Sequence, residues 1–287
     1  MGAERYLWYH DNPMKDGECK MKIKVDSSCT GCGKCVKDCA TSVLEIKDGK
    51  PSVRNGKDNM CLDCRHCVAV CPEGAMSING VSADDCRTLS DMPVPPPDEV
   101  ANLLMSRRSM RTFAPVDIPK EDIEALLETL KYVPCGCNIR HLTFSVVSGR
   151  AKMEELRRGT IALLEANEAK LPDFLKGALS SIKKNPSADP FFRGAPHLLI
   201  VKGDPKAVTP QIDCAAACAY FDMLAQSHGF GVTWCGFLKI IIDAVPEVAD
   251  LFSIPSNAPF YAMIFGEPMV DYVRCVNRSD GAKTEWI

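Results

Sequence analysis

A hydrophobic run long enough to cross a membrane is missing from this sequence. No segment of the 287 residues approaches the roughly 18 to 20 uninterrupted apolar residues that span a bilayer. The first twenty residues, MGAERYLWYHDNPMKDGECK, also lack the apolar centre of a secretory signal. We therefore expect a cytoplasmic protein without membrane association, in which residues 1–20 form an N-terminal extension.

A strong excess of one charge is also missing. The net charge is -3, whereas proteins that bind nucleic acid usually carry a broad basic surface, so a nucleic-acid partner is not expected. Hydrophobic residues make up 46% and charged residues 25%, which is ordinary for a globular protein with a sizeable core. The length predicts two domains, because domains usually contain about 100 to 200 residues.

Two further patterns resemble binding motifs, but neither predicts a binding site. The stretch GFGVTWCG, from Gly229, begins like a dinucleotide-binding fingerprint but lacks the third glycine at the required spacing. Cys214 and Cys218 lie four residues apart in an alanine-rich segment. We predict that they are buried small residues that allow close helix packing, rather than a pair of metal ligands.

Cysteine is abundant, and two runs of it repeat the same spacing. The chain has sixteen cysteines, which in the absence of an export signal indicate metal or redox chemistry rather than disulfides. CTGCGKCVKDCA begins at Cys29 and CLDCRHCVAVCP at Cys61, and both read C-x2-C-x2-C-x3-C at an offset of 32 residues. We predict that each half folds as a ligand loop, a short helix and a strand, with turns at residues 47–50 and at Asn79–Gly80.

This spacing resembles that of bacterial two-cluster ferredoxins, in which the fourth cysteine of each run ligates the other cluster. The resemblance implies two 4Fe–4S clusters. The first would use Cys29, Cys32, Cys35 and Cys71, and the second Cys61, Cys64, Cys67 and Cys39. Zinc is the alternative, but zinc sites usually take their ligands in two separated pairs. One departure is Ala40, which follows Cys39 where a proline follows Cys71.

A proline-rich spacer, DMPVPPPDE at residues 91–99, separates this part from the rest of the chain. Beyond the spacer, apolar residues take helical spacing near Val100 and again from Ile123 to Leu130, after Pro119. We predict four segments: an N-terminal extension at 1–20, a ferredoxin domain at 21–90, a linker at 91–98 and a second domain at 99–287.

The stretch MSRRSMRTF in the second domain concentrates positive charge. It contains Arg107, Arg108 and Arg111, with Ser109 among them. Guanidinium groups match phosphate oxygens in pairs, and a hydroxyl adds a further donor, so the stretch is suited to a phosphate monoester. From these residues alone, a solvated basic face explains the stretch equally well.

Five segments resemble, in order, the motifs of the nitroreductase family of FMN-dependent flavoproteins, over roughly residues 98–278. They are RRSMRTF, VPCGCNIRHLTFSVV, FFRGAPHLLIV, AAACAYFDMLAQSHGFGVTWCGFL and APFYAMIFGEP. The resemblance implies an α+β domain in which helices flank a central, mostly antiparallel sheet. It also implies a homodimer with FMN at the subunit interface, built around a helix at 211–228.

The resemblance assigns FMN contacts residue by residue. The residues that would contact the phosphate and the ribityl chain are Arg107, Arg108, Ser109 and Arg111. The residues of the next loop that would contact FMN are Pro134, Cys135, Gly136 and Asn138. Cys235 and Gly236 fall where the family offers a backbone N–H near flavin N5. Arg274 and Arg278 are both candidates for another phosphate contact, and we favour Arg278.

The chain also departs from the family at the loop. Arg140 and His141 stand where the family usually has Gln-Pro, and Cys135 and Cys137 stand where it has serine and a variable residue. No side-chain nucleophile is required beyond the flavin. A proton could come from water, Cys135, Cys137 or His141, or the two thiols could simply pack. The stretch 151–190 is predicted to be a mobile helical lid that sets substrate choice.

Together the two domains predict an oxidoreductase that converts one-electron transfer into two-electron transfer. A cluster passes single electrons, whereas a flavin can release two as a hydride equivalent. Reduced ferredoxin or flavodoxin is the expected donor, because NAD(P)H would need no cluster, and the expected acceptor is a nitro compound, a quinone or an activated alkene. The alternatives are an electron-transfer subunit whose FMN is a relay to a partner protein, and a redox sensor without turnover.

Overall fold

The structure is a computed structural model that describes residues 21–278 and 281–287. The predicted N-terminal extension, residues 1–20, lies outside the described residues. The chain divides into two compact units. The first extends to Val94 and includes Cys137–Ile139, and the second comprises Pro95–Gly136 and Arg140–Ile287. The domain bounds derived from the sequence stay predictions.

The first unit shows the predicted repeat of loop, helix and strand. The cysteine runs contain the short helices α1 (Lys34–Lys37) and α2 (His66–Ala69). Two antiparallel pairs of strands accompany them: β1 with β4 and β2 with β3. These strands are β1 (Ile23–Val25), β2 (Leu44–Lys47), β3 (Lys50–Val53) and β4 (Met76–Ile78).

Left-handed backbone forms both predicted turns of this unit. Asp48 and Gly49 have φ of 50° and 78° between β2 and β3, and Asn79 and Gly80 have φ of 49° and 86° after β4. These are the residue types that adopt positive φ at least cost. Gly31 has a stricter requirement, because its φ is 70° and a Cβ there would overlap the carbonyl of Gly49. The ligand loop therefore packs directly against the β2–β3 turn.

The core of the first unit is small. Among the described residues, its hydrophobic cluster contains seven buried side chains: Met21, Cys35, Val43, Leu44, Val68, Met76 and Ile78. A segment of this size buries only a modest fraction of its surface, so a core of seven buried residues gives limited stability on its own. Ligands of the predicted clusters, including Cys39, Cys61, Cys67 and Cys71, pack against this core.

The second unit is built on a four-stranded antiparallel sheet in the order β5–β6–β8–β7. The strands are β5 (Thr143–Ser148), β6 (His197–Lys202), β7 (Gly231–Trp234) and β8 (Phe260–Gly266). The helices are α3 (Pro97–Ser106), α4 (Lys120–Leu130), α5 (Arg150–Ala166), α6 (Asp173–Lys184), α7 (Pro210–Ser227), α8 (Gly236–Ala244) and α9 (Val248–Leu251). The predicted α+β architecture with an antiparallel sheet is confirmed.

Successive residues of the two central strands face two different cores. In β6, Leu198 and Ile200 pack with side chains of α5, α6, α8 and α9, whereas Leu199 and Val201 pack with side chains of α4 and α7. This alternation follows from the two-residue period of a strand. Helices therefore cover both faces of the sheet.

Helix α7 has the composition of a closely packed helix. Its buried residues include Cys214, Ala217, Cys218, Phe221 and Ala225, each with 1% or less of its surface exposed. Burial raises the pKa of Cys214 to about 11 and that of Cys218 to about 12. The prediction that these two cysteines are packed small residues is confirmed.

The stretch 151–190 is helical, as predicted, and it contributes to the main core. Leu164 of α5 and Leu175 and Leu179 of α6 have no exposed surface. The mobility of this stretch and its role in substrate choice stay predictions. In the part of the chain that the structure describes, no helix is long and apolar enough to span a bilayer.

His197 is a buried histidine at the start of β6. The backbone N–H of Ile118 donates to its Nε2 at 2.8 Å, and the hydroxyl of Ser148 lies 3.4 Å from Nδ1. Burial lowers the pKa of His197, although the charge of Asp117 opposes this shift. A proton on Nε2 would also remove the acceptor for Ile118. The neutral ring is therefore part of the folded state.

We expect the second unit to lose stability as the pH falls below about 6.5, the ordinary pKa of histidine in an unfolded chain. Because the pKa of His197 is lower in the folded protein, the unfolded chain binds a proton at this histidine first as the pH falls. The free energy of unfolding therefore decreases by up to ~1.4 kcal/mol per pH unit, until His197 is also protonated in the folded protein. Urea unfolding followed by tryptophan fluorescence would measure this slope. The variant His197→Phe has no titrating group at this position, so its free energy of unfolding should fall less over the same pH range. Identical pH slopes of the free energy of unfolding in the two proteins would contradict a neutral His197 in the folded state.

Candidate functional site

The eight cysteines of the two runs lie around two small cavities of the first unit. One cavity is lined by Cys29, Cys32, Cys35 and Cys71, and the other by Cys39, Cys61, Cys64 and Cys67. Each group contains three cysteines of one run and the fourth of the other run. Four thiols around one cavity are the donor set that iron–sulfur clusters use. Among the described residues, no three His, Cys, Asp or Glu side chains converge as they would around a single metal ion.

The backbone repeats as well as the sequence. Gly33 before α1 and Arg65 before α2 are related by the offset of 32 residues, and both are left-handed, with φ of 73° and 60°. His66 lies among the ligands of the second run but is exposed, and its Nδ1 lies 3.2 Å from a carboxylate oxygen of Asp38. The two ligand loops thus have the same local fold.

Burial keeps some of the ligand thiols protonated in the absence of a metal. It raises the pKa of Cys67 to about 12, and nearby Cys61 and Cys64 add to the shift. Burial also raises the pKa of Cys35. Because iron binds the thiolate, cluster assembly must release these protons.

The arginine-rich stretch of the second unit runs beside β7. Ser109 forms an isolated parallel bridge with Val232, and the N–H of Met110 donates to the carbonyl of Val232 at 2.9 Å. Gly231 is required here, because a Cβ at that position would overlap the side chain of Met110. The stretch is therefore attached to the sheet through its backbone, which leaves its side chains to bind other groups.

The arginines of this stretch have different surroundings. Arg107 directly follows α3, and its Nη1 lies 3.3 Å from Oδ2 of Asp222, a buried carboxylate on α7. Nη1 of Arg111 donates to the carbonyl of Ser109 at 3.5 Å, and its side chain has no other partner in the described part of the chain. Arg108 is half-buried, and no hydrogen bond or ion pair of its side chain is seen among the described residues. Most guanidinium donors of the stretch thus remain available.

The loop PCGCN is held by a second buried carboxylate of α7. The backbone N–H of Gly136 donates to both oxygens of Asp213, at 3.1 and 3.2 Å. The hydroxyl of Thr209 donates to Oδ1 at 3.0 Å, and Nε2 of His141 lies 2.8 Å from Oδ2. A Cβ on Gly136 would overlap the hydroxyl of Thr209, so glycine is required.

The hydrogen bonds of His141 define its tautomer. Its Nδ1 accepts the backbone N–H of Asp204 at 3.0 Å, so Nε2 carries the proton and donates it to Asp213. The side chain has no exposed surface. Both ring nitrogens of His141 are thus engaged within the protein.

The rest of the loop has a backbone that few side chains adopt. Cys137, Asn138 and Arg140 have φ of 53°, 53° and 55°. The thiol of Cys135 accepts the N–H of Arg140 at 3.2 Å. Pro134 is the first residue of the loop and is exposed. Positive φ in several non-glycine residues costs free energy, a pattern that clusters at binding sites.

The structure distinguishes the two residues predicted to offer a backbone N–H at the turn after β7. The N–H of Cys235 donates to the carbonyl of Ala262 at 2.8 Å, and burial raises the pKa of its thiol to about 12. Gly236 is the first residue of α8, and its N–H has no acceptor among the described residues. The free donor of the turn is therefore Gly236.

Arg274 and Arg278, the candidates for a second phosphate contact, are exposed in the irregular segment that follows β8. No hydrogen bond or ion pair involves either guanidinium within the described ranges. Nearby, the thiol of Cys275 donates to the carbonyl of Met105 at 3.2 Å. The choice of Arg278 over Arg274 stays a prediction.

Three residues of the site escaped the sequence reasoning. Asp213 and Asp222 are the only charged residues of α7, and two charges in an otherwise uncharged, alanine-rich helix were a usable signal. Tyr261 had no such signal: its hydroxyl lies 3.3 Å from the position that a Cβ on Gly236 would take. Its ring packs edge-on against Trp234, with centroids 5.3 Å apart.

Comparison with protein families places both parts of the chain. The nitroreductase family matches residues 104–267, and the 4Fe-4S dicluster domain matches residues 28–76. The first match covers more than half of the sequence, so the chain belongs to the nitroreductase family. Both resemblances drawn from the sequence are thereby confirmed. No curated protein matches the chain.

Solved structures have a similar fold. A nitroreductase with bound FMN from Bacteroides fragilis is 26% identical, with a TM-score of 0.53 over 65% of this chain and 99% of its own. A nitroreductase with bound FMN from Desulfitobacterium hafniense is 22% identical, with a TM-score of 0.52 over 66% and 98%. The family match and the first of these structures support the prediction of an FMN-dependent oxidoreductase.

Replacing Asp213 by leucine should destabilise the second unit by about 3 kcal/mol, because three donors would lose their buried acceptor. Urea unfolding would measure the loss. Asp243→Asn is the matched control, since Asp243 is an exposed partner of Lys239 and its change should cost no more than ~0.5 kcal/mol. A leucine variant as stable as this control would show that the network does not hold the loop.

Proposed function

We propose that the protein is an iron–sulfur flavoprotein oxidoreductase. Electrons pass from a one-electron donor through two 4Fe–4S clusters to FMN, and then to a small electrophilic acceptor. The observation that carries the proposal is the grouping of eight cysteines around two cavities, in a chain whose second unit belongs to the nitroreductase family.

The cluster ligands follow the two cavities. We assign Cys29, Cys32, Cys35 and Cys71 to the first cluster, and Cys61, Cys64, Cys67 and Cys39 to the second. The small core of the first unit supports this assignment. Its few buried side chains provide limited stability, and covalent bonds to a cluster would add to it. Ala40 after Cys39 leaves this ligand set unchanged.

The FMN phosphate would be held by the arginine-rich stretch. Arg107, Arg108 and Arg111 offer guanidinium donors, and Ser109 offers a hydroxyl. Arg278 or Arg274 would add a further charge from the C-terminal segment. The free guanidinium donors of the stretch support this role.

The ring and ribityl chain would be held by the loop and the turn. Pro134, Cys135, Gly136 and Asn138 form the loop, with Gly136 close to α7 because it has no side chain. Gly236 offers the free N–H of the turn, and Cys235 supports it through the sheet. When bound, FMN supplies hydride-equivalent chemistry, and the protein contributes orientation and electrostatics.

The donor is a protein that carries single electrons, most simply reduced ferredoxin or flavodoxin. An NAD(P)H-dependent enzyme would not need the clusters, because the nicotinamide delivers hydride directly to a flavin. The acceptor is a nitro compound, a quinone or an activated alkene, since each takes up a hydride equivalent. Both nitrogens of His141 are engaged, so water and the thiols of Cys135 and Cys137 are better candidates for the final proton than His141.

We also propose a cytoplasmic homodimer with α7 at its interface. Ile212 and Tyr220 of α7 are 68% and 45% exposed, and Leu104 and Met105 of α3 are 56% and 59% exposed. Large apolar side chains exposed together commonly mark protein interfaces.

The enzyme reduced anaerobically with dithionite should be reoxidised when it is mixed with a nitroaromatic compound, because a small acceptor can take two electrons from the flavin. Stopped-flow absorbance would follow the flavin band and the broad cluster absorption separately. A flavin that stays reduced against nitroaromatics, quinones and activated alkenes would contradict the proposal and favour a relay that passes electrons to a partner protein.

Changing Arg107 and Arg111 together to alanine should remove FMN and leave the iron content at about eight atoms per chain. The phosphate loses two charged donors, whereas the cluster ligands lie in the first unit. Flavin absorbance and iron analysis of the purified variant would measure both. Lys120→Ala with Lys152→Ala removes the same charge from exposed helix surfaces and should keep FMN. A double arginine variant with one FMN per chain would refute the phosphate assignment.

A further inference from the structure

Asp222 lies in an unfavourable position for a carboxylate. It is on α7, 4% exposed, one turn after the buried Cys218 and next to the fully buried Phe221. Burial raises the pKa of Asp222, whereas hydrogen bonds from Trp234 and the charge of Arg107 lower it. Removing a carboxylate from water costs several kcal/mol, and apolar side chains often replace such buried pairs without loss of stability. A charge here therefore suggests a task other than packing.

One oxygen of Asp222 joins two separate parts of the site. Its Oδ2 accepts the indole N–H of Trp234 at 2.9 Å and lies 3.3 Å from Nη1 of Arg107. Trp234 ends β7, directly before the Cys235–Gly236 turn. Arg107 begins the stretch proposed to hold the phosphate. A single buried acceptor thus connects the phosphate end of the proposed site with the turn.

The contact with Asp222 uses only part of the guanidinium of Arg107. That group has five N–H donors in a rigid plane, and Asp222 accepts one of them. The side chain of Arg107 is 31% exposed, and its other N–H groups have no acceptor among the described residues. A rigid planar group held at one edge presents its remaining donors in a defined direction, which is what bidentate binding of phosphate requires.

We propose that Asp222 is a positioning residue for FMN, which holds the guanidinium of Arg107 so that its free N–H groups can bind the phosphate. This inference rests on the proposed function, because it assumes that Arg107 contacts FMN. It makes a specific demand: the effect of Asp222 must depend on the phosphate, and it must act through Arg107.

Riboflavin, which lacks the phosphate, separates positioning from general structure. The full chain, with its clusters intact and its FMN removed, would be titrated with FMN and with riboflavin, and flavin fluorescence would report binding. Asp222→Leu should weaken FMN binding roughly tenfold, which is within the range of coupling energies between contacting residues. The same variant should change riboflavin binding less than about twofold. Asp222→Asn keeps an acceptor oxygen and should give an intermediate loss. Asp243→Asn, an exposed change of the same charge, should bind both ligands normally.

A double-mutant cycle with Arg107→Met tests the route of the effect. In the Arg107→Met background, Asp222→Leu should cause no further loss of preference for FMN over riboflavin. If Asp222→Leu leaves the preference for FMN over riboflavin unchanged, for example by weakening the binding of both ligands equally, the inference is overturned. The phosphate site would still stand in that case, provided that the unmodified chain prefers FMN. An unmodified chain that binds both ligands equally would overturn the phosphate site, and the role of Asp222 with it. Unchanged riboflavin binding shows that a variant is folded.

Discussion

Buried carboxylates must find hydrogen-bond donors, and on α7 this requirement organises the proposed flavin site. Asp213 obtains its donors from the loop at Gly136, from Thr209 and from His141. Asp222 obtains its donors from Trp234 and Arg107. Each carboxylate therefore brings irregular segments against a helix that the sheet already holds. An unpaired carboxylate at either position would cost more free energy than most single packing changes in the core.

Features set by spacing along the chain could be predicted from the sequence. The cysteine repeat, the turns at Asp48–Gly49 and Asn79–Gly80, and the helix that begins after Pro119 each depend on neighbouring residues. The contacts of Asp213 with Gly136 and His141, and that of Asp222 with Arg107, join residues 72 to 115 positions apart, and no local pattern specifies them. The N–H of Cys235 illustrates the same limit, because only the pairing of β7 with β8 shows that Ala262 accepts it.

The two units are stabilised by different means. In the second unit, helices bury both faces of an antiparallel sheet, and its hydrophobic clusters are extensive. In the described part of the first unit, the core cluster contains seven buried hydrophobic residues, and eight further or shared positions are cysteines of the ligand runs. Its stability is therefore expected to depend on iron, and that of the second unit on apolar area.

The alternation of residues along β6 and β8 separates the second unit into two layers. Leu198, Ile200, Ala262 and Ile264 face the helices of the predicted lid, whereas Leu199, Val201, Met263 and Phe265 face α4 and α7. The effects of substitutions on the free energy of unfolding are additive when the substituted residues share no contacts. Substitutions that reshape the lid layer can thus accumulate over evolution without disturbing the α7 layer. Such a sheet would let the layer packed against α7 stay unchanged while the opposite layer varies in shape.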